Sequence, residues 1–435
     1  MNSTESESSI HSLTSRSMEH IDASDSNQRK PFVRVTLQGP DDGGDFGPNT
    51  PGTRTSGIQE ALNYAHASCR DVYIYGGRGG LNESVIYTDN VYRLEETLHI
   101  PWNQDFRLDG GNYVLSYTRK SGDAVIIDSQ MSCRYKFGLI VSKSDGAAVR
   151  IKPHTIGPDD FTVIETSVFE FPAIVSYNPE GAGIVLDSSQ GPILHSRIIA
   201  EETNTEGRGV YLTGSNVARA ISQNAISVGF NQQCHASGNC TNLQIGDPDC
   251  VNVTDNRFEM FLHAPLGVFF DQEGNRWNTP EDFDPPKEAV GARIFGQSNL
   301  LHLSFYGKRA PGKDLVFEES ARDNTVYVFK FPNGMTNRAK VPTNRIIQNL
   351  PPAFNLTSPP IPQSGSGLVN DTCYSVDIMI LSPGQVSEWS IMDVHGNQQA
   401  FSSGVVTGQT ICLDPGEQIS LVYTKTPTWC WKASR

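Results

Sequence analysis

The sequence predicts an all-β fold of one kind, a parallel β-solenoid, on three observations. Short apolar strands return at a nearly regular spacing: Gly183–Asp187 (GIVLD), Gly209–Thr213 (GVYLT), Gly267–Asp271 (GVFFD) and Asp314–Glu318 (DLVFE). Weaker copies stand at Val125–Asp128, Ala148–Ile151, Asn242–Gly246 and Gly291–Phe295. No segment between them has the length and periodicity of the helix that a βαβ crossover needs. The spacing, a few tens of residues with several strands per repeat, is that of a chain that coils and buries each repeat against its neighbours.

The elements follow in order. Residues 1–31 are polar, Ser-rich and aperiodic, the composition of a disordered tail. PFVRVTL at 32–38 reads as a first strand and 39–55 as a turn-rich loop. SGIQEALNYAHA at 56–67 sets Ile58, Leu62 and Ala65 on one side, with Ser56 placed as N-cap. Such a helix is a cheap cover for the open end of a coil, whose strand edges are otherwise unpaired. The solenoid domain is expected over 32–348, with its coils running from residue 70 to 345. NLPPAFNLTSPPIPQSGSG, 349–367, is a Pro/Ser/Gly linker. Residues 368–435 alternate again and read as a small β-domain, with Cys373, Cys412 and Cys430 as staples and Trp389, Trp429 and Trp431 as either stacking platforms or core.

The order strand, Gly/Asp-rich loop, GIQEAL helix, DVYIYGG strand, then YRLEETLHIP and DFRLDGGNYVL, resembles the opening of the right-handed parallel β-helix in the pectate-lyase-like superfamily. Ile58, Gln59, Ala61 and Leu62 keep the superfamily's I-Q-x-A-I pattern. Tyr75-Gly76-Gly77 replaces its proline turn, and an insertion precedes Tyr92. The likeness spans residues 32–345 and implies a right-handed coil. Length and layout are more distantly similar to inulin fructotransferase-like enzymes, which implies a secreted homotrimer with an Asp/Glu pair at a subunit boundary. Tailspike-like depolymerases share the scaffold, but the sequons and cysteines fit a phage tail poorly.

A formal charge of -14 argues against a nucleic-acid or anionic-membrane partner, and no apolar run is long enough to span a bilayer. Eight cysteines and six N-glycosylation sequons, at Asn2, Asn82, Asn239, Asn252, Asn355 and Asn370, point to an extracellular protein. At least one disulfide is expected among Cys234, Cys240 and Cys250; their spacing lacks the grip of common zinc sites. The N-terminus has no apolar h-region and so is not a signal peptide.

Strand alternation converts the repeat into geometry. Ile184 and Leu186 are expected to face inward on Val210 and Leu212, then on Val268 and Phe270, leaving Asp187, Tyr211, Thr213, Phe269 and Asp271 outside. Coils ~4.8 Å apart stack outward side chains into ladders on a long face. Such a face suits a polysaccharide rather than a small metabolite, which takes a closed pocket.

Glycosidic cleavage by hydrolysis or transfer needs two carboxyl groups, ~5–5.5 Å apart for retention and ~6.5–9.5 Å for inversion. IIAEETNTEGRGVY is the densest acidic cluster. Glu201 and Glu206 are the expected pair, Asp187 or Asp271 the substitute partner, and Arg208, Tyr211 and Phe269 substrate contacts. Glu259, Asp271 and Glu273 with His263 nearby form a second acidic set. A lyase would instead neutralise a uronate and supply a base, and Asn231, Gln232, Gln233 and His235 near Arg219 offer that chemistry. No cofactor is required; Asp247 and Asp249 offer oxygens for Ca²⁺. Each acid also has a plain reading as a solvated loop charge. Asn216, Asn224, Asn256 and Asn299 sit at turns and read as a structural ladder, and His195 and His302 as buried or edge histidines. The reading is a carbohydrate-active enzyme, hydrolase or transferase, with a lyase and a non-catalytic glycan-binding solenoid as alternatives.

Overall fold

The computed structural model describes residues 32–76, 91–110, 113–154, 162–214, 220–233, 239–264, 268–270, 276–278, 288–307, 312–348 and 356–434. Over these residues three parallel sheets, 14-stranded, 9-stranded and 6-stranded, run the length of a solenoid. A representative coil uses Arg197–Thr205 in the first sheet, Arg208–Thr213 in the second and Ile221–Ser222 in the third. Ala225–Gln233 then returns to the first sheet, pairing Arg197 with Ala225 and Ile198 with Ile226. The rest of the coil is therefore the connection that parallel pairing needs, and no helix has to supply it.

One inward side chain per coil builds each interior column. Phe169, Ile198, Ile226, Phe258, Leu301, Val326 and Ile346 lie in register along the 14-stranded sheet, all buried. Val149, Ile184, Val210, Leu243, Ala292 and Leu315 do the same along the 9-stranded sheet. Ile184, Leu186, Val210 and Leu212 face inward as the alternation predicts.

The column does not continue to Val268 and Phe270. Val268–Phe270 pairs antiparallel with Arg276–Asn278 in a hairpin that leaves the coil. Asn239–Ile245 pairs directly with Glu288–Ile294, so the fainter NLQIG and GARIF segments are true rungs and GVFFD is not. A hairpin strand and a solenoid strand share the same apolar alternation, and only the partner separates them.

A corner recurs before successive strands of the long sheet. His195, Gln223, Asp255, Ser298 and Asp323 adopt left-handed φ values of 49, 59, 58, 56 and 57°. Each precedes a buried polar residue: Ser196, Asn224, Asn256, Asn299 and Asn324. The Asn224, Asn256, Asn299, Asn324 and Asn344 carboxamides form one continuous ladder, in which Asn224 Oδ1 accepts from the Ser196 amide and each later Oδ1 from the Asn one coil earlier. Asn224, Asn256 and Asn299 thus have the structural role expected of them; Asn216 lies outside the described residues.

The helix is Ile58–Ala67, with Ile58, Ala61, Leu62 and Ala65 buried against the first strands of the coil. Ser56 is not its N-cap: Gly57 holds that position at φ 80°, and Ser56 Oγ donates instead to Arg93 O at 2.8 Å. The first amides donate to Thr53 and Thr55 hydroxyls. Phe32–Val35 already pairs in parallel with Asp71–Ile74, so the long sheet begins at residue 32 and not near residue 70.

After the last coil the chain changes to antiparallel sheets between Gly367 and Ala433. Trp429 and Trp431 fill the core of this small β-domain, with Val376, Ile378, Ile419 and Leu421; they are not stacking platforms. Trp389 stacks on Phe401 at 4.0 Å. The staple predicted among Cys373, Cys412 and Cys430 is absent: all three thiols are free. Cys412 and Cys430 lie on strands flanking the central Val376–Ser382, two strand spacings or roughly 9.6 Å apart, too far for a disulfide. Cys250 belongs to the solenoid core while Cys240 packs with Ala289 in a separate cluster, so no disulfide joins them; Cys234 lies outside the described residues. Asn370 is fully buried and its Nδ2 donates to Tyr374 O and Leu413 O, which leaves that sequon no atom for a glycan.

Candidate functional site

The outer face of the 9-stranded sheet carries Asp187, Arg208 and Tyr211. Arg150 donates to Asp123 from Nε at 2.6 Å and Nη2 at 3.2 Å, and to Asp187 Oδ2 from Nη1 at 3.1 Å. Lys152 stands 3.8 Å from the same Asp187 oxygen. Burial pushes Asp187 up, but hydrogen bonds from Ser189 and the Lys152 and Arg150 cations outweigh it, and its pKa falls below the ordinary value. An acid held ionised by two cations is an ion-pair member and a poor proton donor. Tyr211 Oη donates to Asp247 Oδ2 at 2.7 Å, Thr213 Oγ1 to the same oxygen at 2.5 Å, and the Arg208 guanidinium lies 4.8 Å from the Tyr211 ring centre. Burial first, then Asp247, pushes Tyr211 up to about 12. Asp247 Oδ1 accepts from the Asp249 amide. Among the described residues no group of three or more His, Cys, Asp or Glu is placed to hold a metal ion.

Glu201 is an exposed strand residue within Arg197–Thr205, where a loop charge was expected, and Glu206 sits in the following turn. The two belong to one strand and the turn after it, five residues apart in sequence. Burial lifts Glu206 to about 7. Glu202 accepts from Asn204 Nδ2 at 2.7 Å. Asp271, Arg219 and His235 lie outside the described residues, and so do the side chains of Gln233 and Phe269.

The outer face of the 14-stranded sheet brings together a different set. Arg257–His263, Leu300–Tyr306 and Thr325–Val328 pair in register over three successive rungs. Their inward positions are buried, so the alternate positions face out. Glu259 stands opposite His302 and His302 opposite Tyr327; Phe261 is opposite Ser304, and His263 opposite Tyr306. Phe261, Tyr306, Tyr327 and Phe329 are 44, 46, 39 and 51% exposed. The His302 ring lies on Tyr327 at 4.7 Å and 6°, and that of His263 on Tyr306 at 5.9 Å and 9°. An open groove of 330 Å³ runs between Glu259, Phe261, His302, Ser304, Tyr327 and Phe329. Clustered aromatic exposure of this kind marks an interaction surface.

Sequence reasoning placed Glu259 in a secondary acidic set and read His302 as structural; it missed Phe261, Tyr306, Tyr327 and Phe329. The signal was present in RFEMFLH and LLHLSFY, where aromatic and imidazole rings occupy positions of outward parity.

No family model and no curated protein matches this chain. Among solved structures it is similar to a tailspike protein, a double mutant, of E. coli bacteriophage HK620, at 8% identity over 92% of each chain with a TM-score of 0.17. An overlap that slight carries no weight for function.

Proposed function

We propose that this protein is a carbohydrate-active enzyme that seats an extended glycan on the outer face of its 14-stranded sheet and cleaves a glycosidic bond there. The observation that carries the reading is the set of exposed rings, Phe261, Tyr327 and Phe329, that line an open groove, with Tyr306 exposed beside Phe261. A sugar ring presents an apolar face to an aromatic one and hydroxyls to polar neighbours such as Ser304, so it relieves the exposure without closing the groove. Rungs ~4.8 Å apart repeat at nearly the length of one sugar in a chain.

A non-catalytic glycan-binding solenoid is the second reading. It is favoured by the lining of the groove, where Phe261, Tyr327 and Phe329 accompany a single carboxylate, Glu259. Affinity electrophoresis of the full chain through gels containing xylan, dextran, inulin or polygalacturonate tests both. Retardation by at least one polymer supports a glycan site, and mobility unchanged by all four overturns it. Reducing ends or a transferred product released from the retarding polymer then select the enzyme, and ultraviolet absorbance of an unsaturated uronate would select a lyase.

A further inference from the structure

We propose that Glu259 and His302 are the proton-transfer pair of this groove. The assignment rests on the reading of the groove as a glycan site and adds the groups that would act there. Both side chains project from neighbouring strands in direct register, ~4.8 Å apart at the backbone. Both line the same open cavity. Phe258, Met260, Leu301 and Leu303, the residues flanking them along the two strands, are buried in the core, so each is carried on a rigid support. The His302 ring is held flat against Tyr327 at 4.7 Å and 6°, which restrains its plane.

Availability separates this pair from the other acids. Asp187 is taken by Arg150 and Lys152, Asp247 by Tyr211 and Thr213, and Glu202 by Asn204. Glu259 is exposed and engages no described partner, and it forms no ion pair with His302. A carboxylate and an imidazole lining one cavity can supply the base and the acid, the two roles that a carboxyl pair would otherwise divide.

The step is hydrolysis. Glu259 takes a proton from a water whose oxygen forms the new bond to the anomeric carbon. The bond from that carbon to the glycosidic oxygen breaks with its electron pair on the oxygen, which receives a proton from the His302 imidazolium. One water is consumed and two saccharide ends are released. Glu259 is left protonated and His302 neutral, and proton exchange through the solvent of the open groove restores both.

The test uses the full chain with the four polymers named above. Glu259→Gln and His302→Gln are each expected to lower reducing-end release at least about 100-fold while gel retardation changes less than about threefold. Glu201→Gln and Glu206→Gln are expected to retain activity. Near-full turnover in either groove variant overturns the pair. Wild-type protein that is retarded by a polymer but releases nothing also overturns it while leaving the binding site intact. Protein that is neither retarded nor active removes the glycan reading with it.

Discussion

Asn256 bonds Asn299 twice: the Asn299 Oδ1 accepts from both the backbone N and the side-chain Nδ2 of Asn256, each at 3.1 Å. The same two-donor contact joins Asn224 to Asn256 and Asn299 to Asn324. Asn256→Ala removes an acceptor from the coil before and a donor from the coil after, and leaves Ile221 O and Thr254 O short of a partner. The expected loss is about 2–4 kcal/mol in urea unfolding. Asn344→Ala, at the last position, is expected to cost less.

Arg150 bridges Asp123 and Asp187 on one face of the 9-stranded sheet. Arg150→Met leaves two largely buried carboxylates without their shared cation and is expected to destabilise by about 3 kcal/mol. Asp187 keeps Lys152 while Asp123 loses its cation, so adding Asp123→Asn removes the stranded charge and is expected to restore part of that loss in the same unfolding measurement.

Glu206 titrates near 7 when folded, against an ordinary value of 4.5, because burial disfavours its charged form. Between those values the folded chain holds a proton that the unfolded chain has released. The contribution to stability is therefore full below pH 4.5 and is lost as pH rises through about 7. Partial exposure limits it to about 1–2 kcal/mol. Denaturant midpoints from pH 4.5 to 8 are expected to fall less steeply in Glu206→Gln than in the parent.

Phe261→Ala and Tyr327→Ala remove exposed rings that support no core packing. Each is expected to weaken retardation by the retarding polymer about tenfold, with unfolding midpoints close to the parent value. A matched loss of stability would assign the rings a packing role.

The coil was legible because its signal is local. Alternation in GIVLD and GVYLT sets which side chains face inward, and the Asn turns announce the ladder by residue type alone. The hairpin at Val268–Phe270 was misread because alternation does not name a strand's partner. The groove was hidden for the same reason. Glu259, His302 and Tyr327 stand 43 and 25 residues apart in sequence and meet only when register stacks one coil on the next. The acidic cluster drew attention through density along one strand and its turn, whereas the groove is assembled by register across strands from residues remote in sequence.

A column that gains one side chain per turn of the chain makes this surface a ruler. Its cross-section is fixed by alternation along each strand, and its length by how many turns are stacked. Inserting or deleting one whole turn would change the length of the face by a single increment, ~4.8 Å, with the outward residues of every other increment unaltered. Under the proposed glycan reading, selectivity for chain length and selectivity for the sugar itself become separable, one set by the count of turns and the other by the residue at each outward position.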